Sequence, residues 1–297
     1  MPSRGAAGIQ PPRSRRSVLL GGAAALATAG LGSLCSSATA QSTLTRITPD
    51  IHSEQVYSRA RGGHVHMVLM LPSTVPTMHL PMVVNLHARG GTARRSSPNG
   101  FISHLTQEVA AGTVPPFGIV AVDGGEYSYW HESTPGDDPM AMLLDELPRW
   151  LAQRGLGGAD GHPFAVTGTS MGGFGALVYT RRRHERGYPV DAAGLISPAL
   201  MTEWSEMEER EAFRSADAWA ELDPLRNLDA LGDAPIGVWC GTSDWFVDGT
   251  RRFVRRADPE VAYFADGGHT GSFYTSVVPD LVQFLARHAP DLDELRS

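Results

Sequence analysis

Short apolar runs that end in glycine-rich or polar turns recur along the chain. They lie at residues 64–72, 81–87, 117–123, 164–169, 191–198, 235–241 and 261–264, and most are dense in Val, Ile, Leu and Ala. Continuous apolar runs of this length, bounded by turn signals, are the pattern of strands covered on both faces. Between them the apolar positions take helical spacing. Phe101, Ile102, Leu105 and Val109 form one stripe within 99–112, with Asn99 in a capping position. Met142, Leu143, Leu147, Trp150 and Leu151 form another within 139–153, and Leu281, Phe284 and Leu285 a third within 273–288. Further helices are predicted from the end of the 164–169 strand to about Glu185 and over 250–257. Residues 41–63 are polar, with Pro49 and Arg61-Gly62-Gly63, and read as an entry strand and a turn. Strands alternating with helices predict an α/β fold: a mostly parallel central sheet with helices on both faces.

Two stretches break the alternation. Residues 202–230 interleave Glu203, Glu206, Glu208, Glu209 and Glu211 with Trp204, Met207, Phe213 and Trp219. They predict short amphipathic helices inserted between core strands, either a cap over the site or a surface insertion. Residues 1–40 carry Arg13, Arg15 and Arg16, then a weakly apolar Ala/Gly/Leu run, then Ala38-Thr39-Ala40. Ser14-Arg15-Arg16-Ser17-Val18-Leu19 follows the twin-arginine pattern, so 1–40 is read as an export signal cleaved before Gln41. Residues 41–297 are then one catalytic domain, placed outside the cytoplasm or at the cell wall. The bulky Leu34 before Cys35 argues against lipid attachment, and the run is too rich in Gly and Ala for a comfortable membrane span.

Composition narrows the functional classes. The 297 residues carry a net charge of −7 and no basic cluster in the body, which argues against nucleic acid as the main partner. Of two cysteines, Cys35 lies in the leader, so the mature chain has only Cys240 and no internal disulfide. Cys240 sits in an apolar strand and reads as a small packed residue. His64 and His66 share a strand face, but no carboxylate or cysteine lies nearby in sequence, so no metal site is assigned.

The chemistry concentrates where strands end. Gly168-Thr169-Ser170-Met171-Gly172 joins a strand to a helix, and this spacing builds a tight elbow that raises the serine hydroxyl above the sheet's edge. The helix start beneath it offers unsatisfied N–H groups and partial positive charge to a developing oxyanion. The Met171 N–H is one expected donor. The loop after 81–87, His87-Ala88-Arg89-Gly90-Gly91, is expected to supply the other from the Arg89 N–H. Asp244 follows the 235–241 strand and His269 follows the last one. A serine needs a base, an imidazole serves near neutral pH, and a carboxylate fixes its tautomer. Ser170, Asp244 and His269 are therefore the expected catalytic set, chosen over Asp248, Asp266, His87 and His131. The aromatic stretch 127–131, with Tyr127, Tyr129 and Trp130, is expected to wall a substrate pocket together with His87. Arg181-Arg182-Arg183 reads as a solvated helix end.

The set Leu86-His87-Ala88-Arg89-Gly90-Gly91, Gly168-Thr169-Ser170-Met171-Gly172-Gly173, Cys240-Gly241-Thr242-Ser243-Asp244 and Gly267-Gly268-His269 resembles the esterase D group of α/β hydrolases. That group also holds the secreted trehalose mycolyltransferases and diacylglycerol acyltransferases. The resemblance spans nearly all of 60–290. It implies an α/β-hydrolase fold and cleavage of a small-molecule acyl ester through an acyl-enzyme, with no cofactor. Two departures stand out. Ala88 replaces a common glycine, and Asp244 stands where mycolyltransferases often have glutamate, which favours hydrolysis. The alternatives are acyl transfer to a sugar or glycerol hydroxyl by the same residues, and a secreted binding module that keeps the fold without turnover.

Overall fold

The computed structural model describes residues 47–291. The expected leader, with its arginine pair, Cys35 and the Ala38-Thr39-Ala40 site, lies outside the described residues. The strands are β1 (Asp50–Ser58), β2 (Gly63–Leu71), β3 (Met82–Leu86), β4 (Gly118–Val122), β5 (Ala165–Thr169), β6 (Ala192–Ile196), β7 (Ile236–Gly241) and β8 (Val261–Ala265). They form one eight-stranded sheet in the order β1-β2-β4-β3-β5-β6-β7-β8. β2 runs antiparallel to both its neighbours, and every pairing from β4 to β8 is parallel.

The central strands are buried on both faces because each feeds two cores in alternation. Val84, Leu86, Val120, Val122 and Val166 face one core; Val83, Ile119, Ala121 and Ala165 face the other. The second core is covered by α1 (Phe101–Ala111) and α9 (Val278–Arg287), through Phe101, Leu105, Leu281 and Phe284. The first is covered by α4 (Met171–Glu185), by the helical run 139–152, and by the insertion after β6. Asn99 does not cap α1. Gly100 holds that position at φ 84, a left-handed conformation that favours glycine, and no side chain caps the helix.

The 139–152 run departs from one regular helix. It comprises α2 (Pro139–Ala141), a π turn (Met142–Glu146) and α3 (Leu147–Ala152). Pro148 explains the break: it has no N–H for the carbonyl four residues back, and the Leu147 N–H reaches Met142, five back. The wider turn directs Glu146 at the β1–β2 connection. Its carboxylate accepts from Ser58 Oγ at 2.5 Å, Arg59 N at 2.8 Å and Ala60 N at 3.2 Å.

Nor is the triple arginine wholly solvated. Arg181 and Arg182 pair with Glu185 at 2.7 and 2.9 Å. Arg183, one turn beyond buried Thr180 and two beyond buried Ala176, faces inward and donates to Tyr179 Oη, Tyr188 O and Pro163 O. Three acceptors offset the cost of burying its charge.

The insertion folds as α5 (Trp204–Glu208), α6 (Ala216–Leu222) and a 3-10 turn (Leu228–Leu231), anchored by buried Met207, Phe213 and Trp219. Asp223, just past α6, is 2% exposed, and burial pushes its carboxyl up to about 6 against the pull of the Leu225 N–H and Arg226. The native state then holds a proton that the unfolded chain has lost above about pH 4, so stability falls as pH rises from 4 to 6. At about 1.4 kcal/mol per pH unit, this group contributes a loss on the order of 2–3 kcal/mol. Asp223→Asn is expected to flatten that part of the pH–stability curve. Urea midpoints at pH 4, 5, 6 and 7 check it; an unchanged slope would remove Asp223 as the source.

Candidate active site

Sheet register brings the strand ends to one rim. Leu86 pairs with Gly168, Thr169 with Ile196, and Gly241 with Ala265. Ser170 follows β5 directly and holds φ 57, ψ −118, a costly backbone for a non-glycine residue. Its surroundings hold it there. Ser170 N donates to Ile196 O, and Ser170 O accepts from Gly173 N, Phe174 N and Ala199 N, all at 2.9–3.1 Å. The flanking glycines are steric necessities: a Cβ on Gly168 would overlap the Gly172 carbonyl, and one on Gly172 the Leu86 carbonyl.

The other two strand-end residues reach the same point. α7 (Val247–Ala257) follows the Asp244 turn, and α8 (Gly271–Ser276) follows the His269 loop. Backbone bonds zip the two loops together: Thr242 N to Ala265 O at 2.8 Å and Ser243 N to Gly267 O at 2.9 Å. His269 Nε2 lies 2.9 Å from Ser170 Oγ, and His269 Nδ1 lies 2.9 Å from Asp244 Oδ2. Asp244 Oδ1 accepts from Phe246 N at 2.9 Å. Burial alone would raise the Asp244 pKa and is the largest single influence. The bonds from His269 and Phe246, with the neighbouring imidazole, outweigh it and hold the carboxyl below its usual range. The competing acids lie apart: Asp248 is exposed beside Arg251, and Asp266 faces Thr242.

Phe246, Trp245 and Tyr274 stand edge-on to the imidazole, with ring centroids 5.1, 5.3 and 5.5 Å away. Burial, then the Asp244 charge, raises the Tyr274 phenol and pushes the Cys240 thiol up to about 12, so both stay protonated at neutral pH. Buried Ser197 follows β6 at φ 46, and its hydroxyl lies beside Asp244 and Cys240. These rings and Ser197 were not identified from the sequence. Trp245 and Phe246 directly follow Asp244, and that adjacency was the available signal.

The two expected oxyanion donors are the Met171 and Arg89 N–H groups. Met171 is the first residue of α4, so its N–H has no intrahelical acceptor. In the loop after β3, Gly90 N donates to Glu126 O and Gly91 N to Ala88 O. The Arg89 N–H between Ala88 and Gly90 makes no such bond among the described residues. Ala88 is not among the residues with positive φ, so its methyl group adds no strain to that loop.

The expected pocket wall requires correction. His87 is fully buried: Nε2 accepts from Gly124 N at 2.9 Å and Nδ1 faces Ala88 O at 2.9 Å. Burial lowers its pKa, and both ring nitrogens are occupied. Trp130 is also fully buried, packed on Gly124 and Gly175 and donating to His87 O at 3.2 Å. Tyr129 is 2% exposed and packs edge-on against Phe174. Those three residues brace the rim from behind, and only Tyr127 is open, beneath the Arg89 guanidinium at 4.7 Å. A cavity of about 690 Å³ lies apart from the cluster, between the insertion and the flank of α4. Its lining includes His131, Arg182, Glu185 and Phe213 but neither Ser170 nor His269.

Among the described residues, no group of three or more His, Cys, Asp or Glu side chains is placed to hold a metal ion. No helix there is long and apolar enough to cross a membrane.

Solved structures share this architecture. A ferulic acid esterase aligns with TM-score 0.68 at 19% identity, over 81% of this chain and 99% of its own. S-formylglutathione hydrolase from Agrobacterium tumefaciens aligns with TM-score 0.66 at 15% identity, over 83% and 98%. FphF, a fluorophosphonate-binding serine hydrolase of Staphylococcus aureus, aligns with TM-score 0.64 at 16% identity, over 80% and 98%. At such identities the likeness is one of fold, and the fold is that of the α/β hydrolases. No curated protein sequence matches significantly. A family model described as "Putative esterase" matches residues 58–275. That span takes in both the serine elbow and the histidine loop, and the chain belongs to this esterase family.

Proposed function

We propose that the chain is an exported serine hydrolase that cleaves carboxylic esters through Ser170, His269 and Asp244. The observation that carries this reading is the unbroken path of two 2.9 Å contacts from hydroxyl to imidazole to carboxylate. With Nδ1–H donating to Asp244, Nε2 is free to accept the serine proton. Ser170 Oγ then attacks the ester carbonyl, and the oxygen that becomes anionic is met by the Met171 and Arg89 N–H groups. The imidazolium, stabilised by Asp244, returns the proton to the departing alcohol. Water repeats the sequence on the acyl-enzyme and frees the acid and Ser170. Hydrolysis is read over acyl transfer because position 244 carries an aspartate, where mycolyltransferases often have glutamate. Export rests on the 1–40 leader, and a mature N-terminus at Gln41 is its check.

A fluorophosphonate probe is expected to react with the folded protein once, at Ser170, with the site read from the mass of the modified peptide. Modification of another serine, or none, would take Ser170 out of this role.

A further inference from the structure

The insertion returns to the site along an unexpected side. Ala199 N bonds to Ser170 O, and Phe213 packs 6.0 Å from the Phe174 ring, one helical turn beyond the serine. Arg210 lies between these anchors. Its guanidinium carbon stands 5.8 Å from the Phe246 ring, the same ring that stands 5.1 Å from the His269 imidazole. On the other side, the Tyr129 phenol, raised by burial, is pulled back first by the Arg210 charge and then by that of Arg89. Arg210 thus spans the histidine wall and the helix wall of the cluster.

The surroundings of this guanidinium are unusual for the molecule. Arg210 Nε is shielded from solvent and has no hydrogen-bond partner among the described residues. No carboxylate among the described residues lies within ion-pair distance of it. Buried Arg183 has three acceptors, and half-buried Arg154 holds Glu54 through two bonds of 2.8 Å. A shielded Nε–H without an acceptor is costly, and an incoming anion that accepts from it removes that cost. A planar fork beside the Phe246 ring suits a carboxylate in particular.

We propose that Arg210 receives a carboxylate carried by the ester substrate, so that the site prefers anionic esters, with Arg89 adding a second positive charge at the rim. This deepens the esterase reading and rests on it. The carboxylate can belong to the acyl part or to the alcohol part, and two substrate pairs separate these. One is the nitrophenyl monoester of glutaric acid against its terminal amide. The other is carboxyphenyl butyrate against carbamoylphenyl butyrate. Each pair differs in charge with little change in shape.

For the wild-type protein, kcat/KM is expected to favour the anionic member of one pair by about tenfold to a hundredfold, as a charge-assisted contact would give. In Arg210→Gln that ratio is expected to fall to about one, chiefly through KM, and Arg210→Lys should restore part of it. A purely structural arginine would instead lower the melting temperature and both rates together, leaving the ratio intact. Turnover of all four esters with no anionic preference, or a preference that survives Arg210→Gln, overturns this inference alone. No turnover of any ester overturns the esterase reading and takes this inference with it.

Discussion

Ser170→Ala is expected to lower kcat/KM for nitrophenyl butyrate by about a hundred-thousandfold while the protein stays folded. The size follows from what is removed. Without the hydroxyl there is no acyl-enzyme, and only binding and the oxyanion donors remain to assist direct attack by water. The fold should persist because the change is confined to one oxygen. Alanine keeps the Cβ that serine already holds at φ 57, so the elbow acquires no new strain. The bonds to Ile196, Gly173, Phe174 and Ala199 are made by backbone atoms and survive. Steady-state kinetics, with a thermal melt as control, provide the test. A variant that retains a tenth of the activity would mean that another nucleophile does the chemistry.

Asp244→Asn is expected to cost about a thousandfold or more in kcat, with KM little changed. The carboxylate accepts twice, from His269 Nδ1–H through Oδ2 and from Phe246 N–H through Oδ1. An amide has one accepting oxygen. If that oxygen stays with Phe246, the NH₂ group faces Nδ1 and can donate only to an unprotonated nitrogen. The ring proton then moves to Nε2, and the imidazole meets Ser170 as a donor instead of a base. The imidazolium formed during attack also loses its counter-charge. Proton NMR of the histidine ring, which reports the tautomer directly, should show this switch alongside the kinetics. A loss of less than tenfold would mean that something other than Asp244 orients His269.

The sheet was legible because its central strands feed two cores and so carry no polar face; 117–123 and 164–169 stand out without any periodicity. The serine elbow was legible because Gly168 and Gly172 are dictated by close backbone contact, which no other residue permits. The strand-end positions of Ser170, Asp244 and His269 could also be read, since each follows an apolar run. Other features depend on contacts that sequence order does not reveal. The π turn comes from a single proline six residues past the start of the irregularity. The third arginine of 181–183 is buried because helical phase turns it toward Tyr179. The aromatic stretch 127–131 looked like a pocket wall, yet Tyr129 and Trp130 turn inward at φ 49 and φ 60, a backbone that composition does not announce. Arg210 gains its place only when the chain returns from the insertion to meet Phe246.

Cys240 makes the protein its own stopwatch. Its thiol is fully buried in β7, and burial with the Asp244 charge beside it pushes its pKa up to about 12. An alkylating reagent needs a thiolate and a path to it, and the native sheet supplies neither. The reagent therefore marks β7 only in molecules whose strands have separated, and its rate of capture counts those openings. Peptide mapping tells this mark from one on Cys35, so how often the sheet parts can be read without any engineered label.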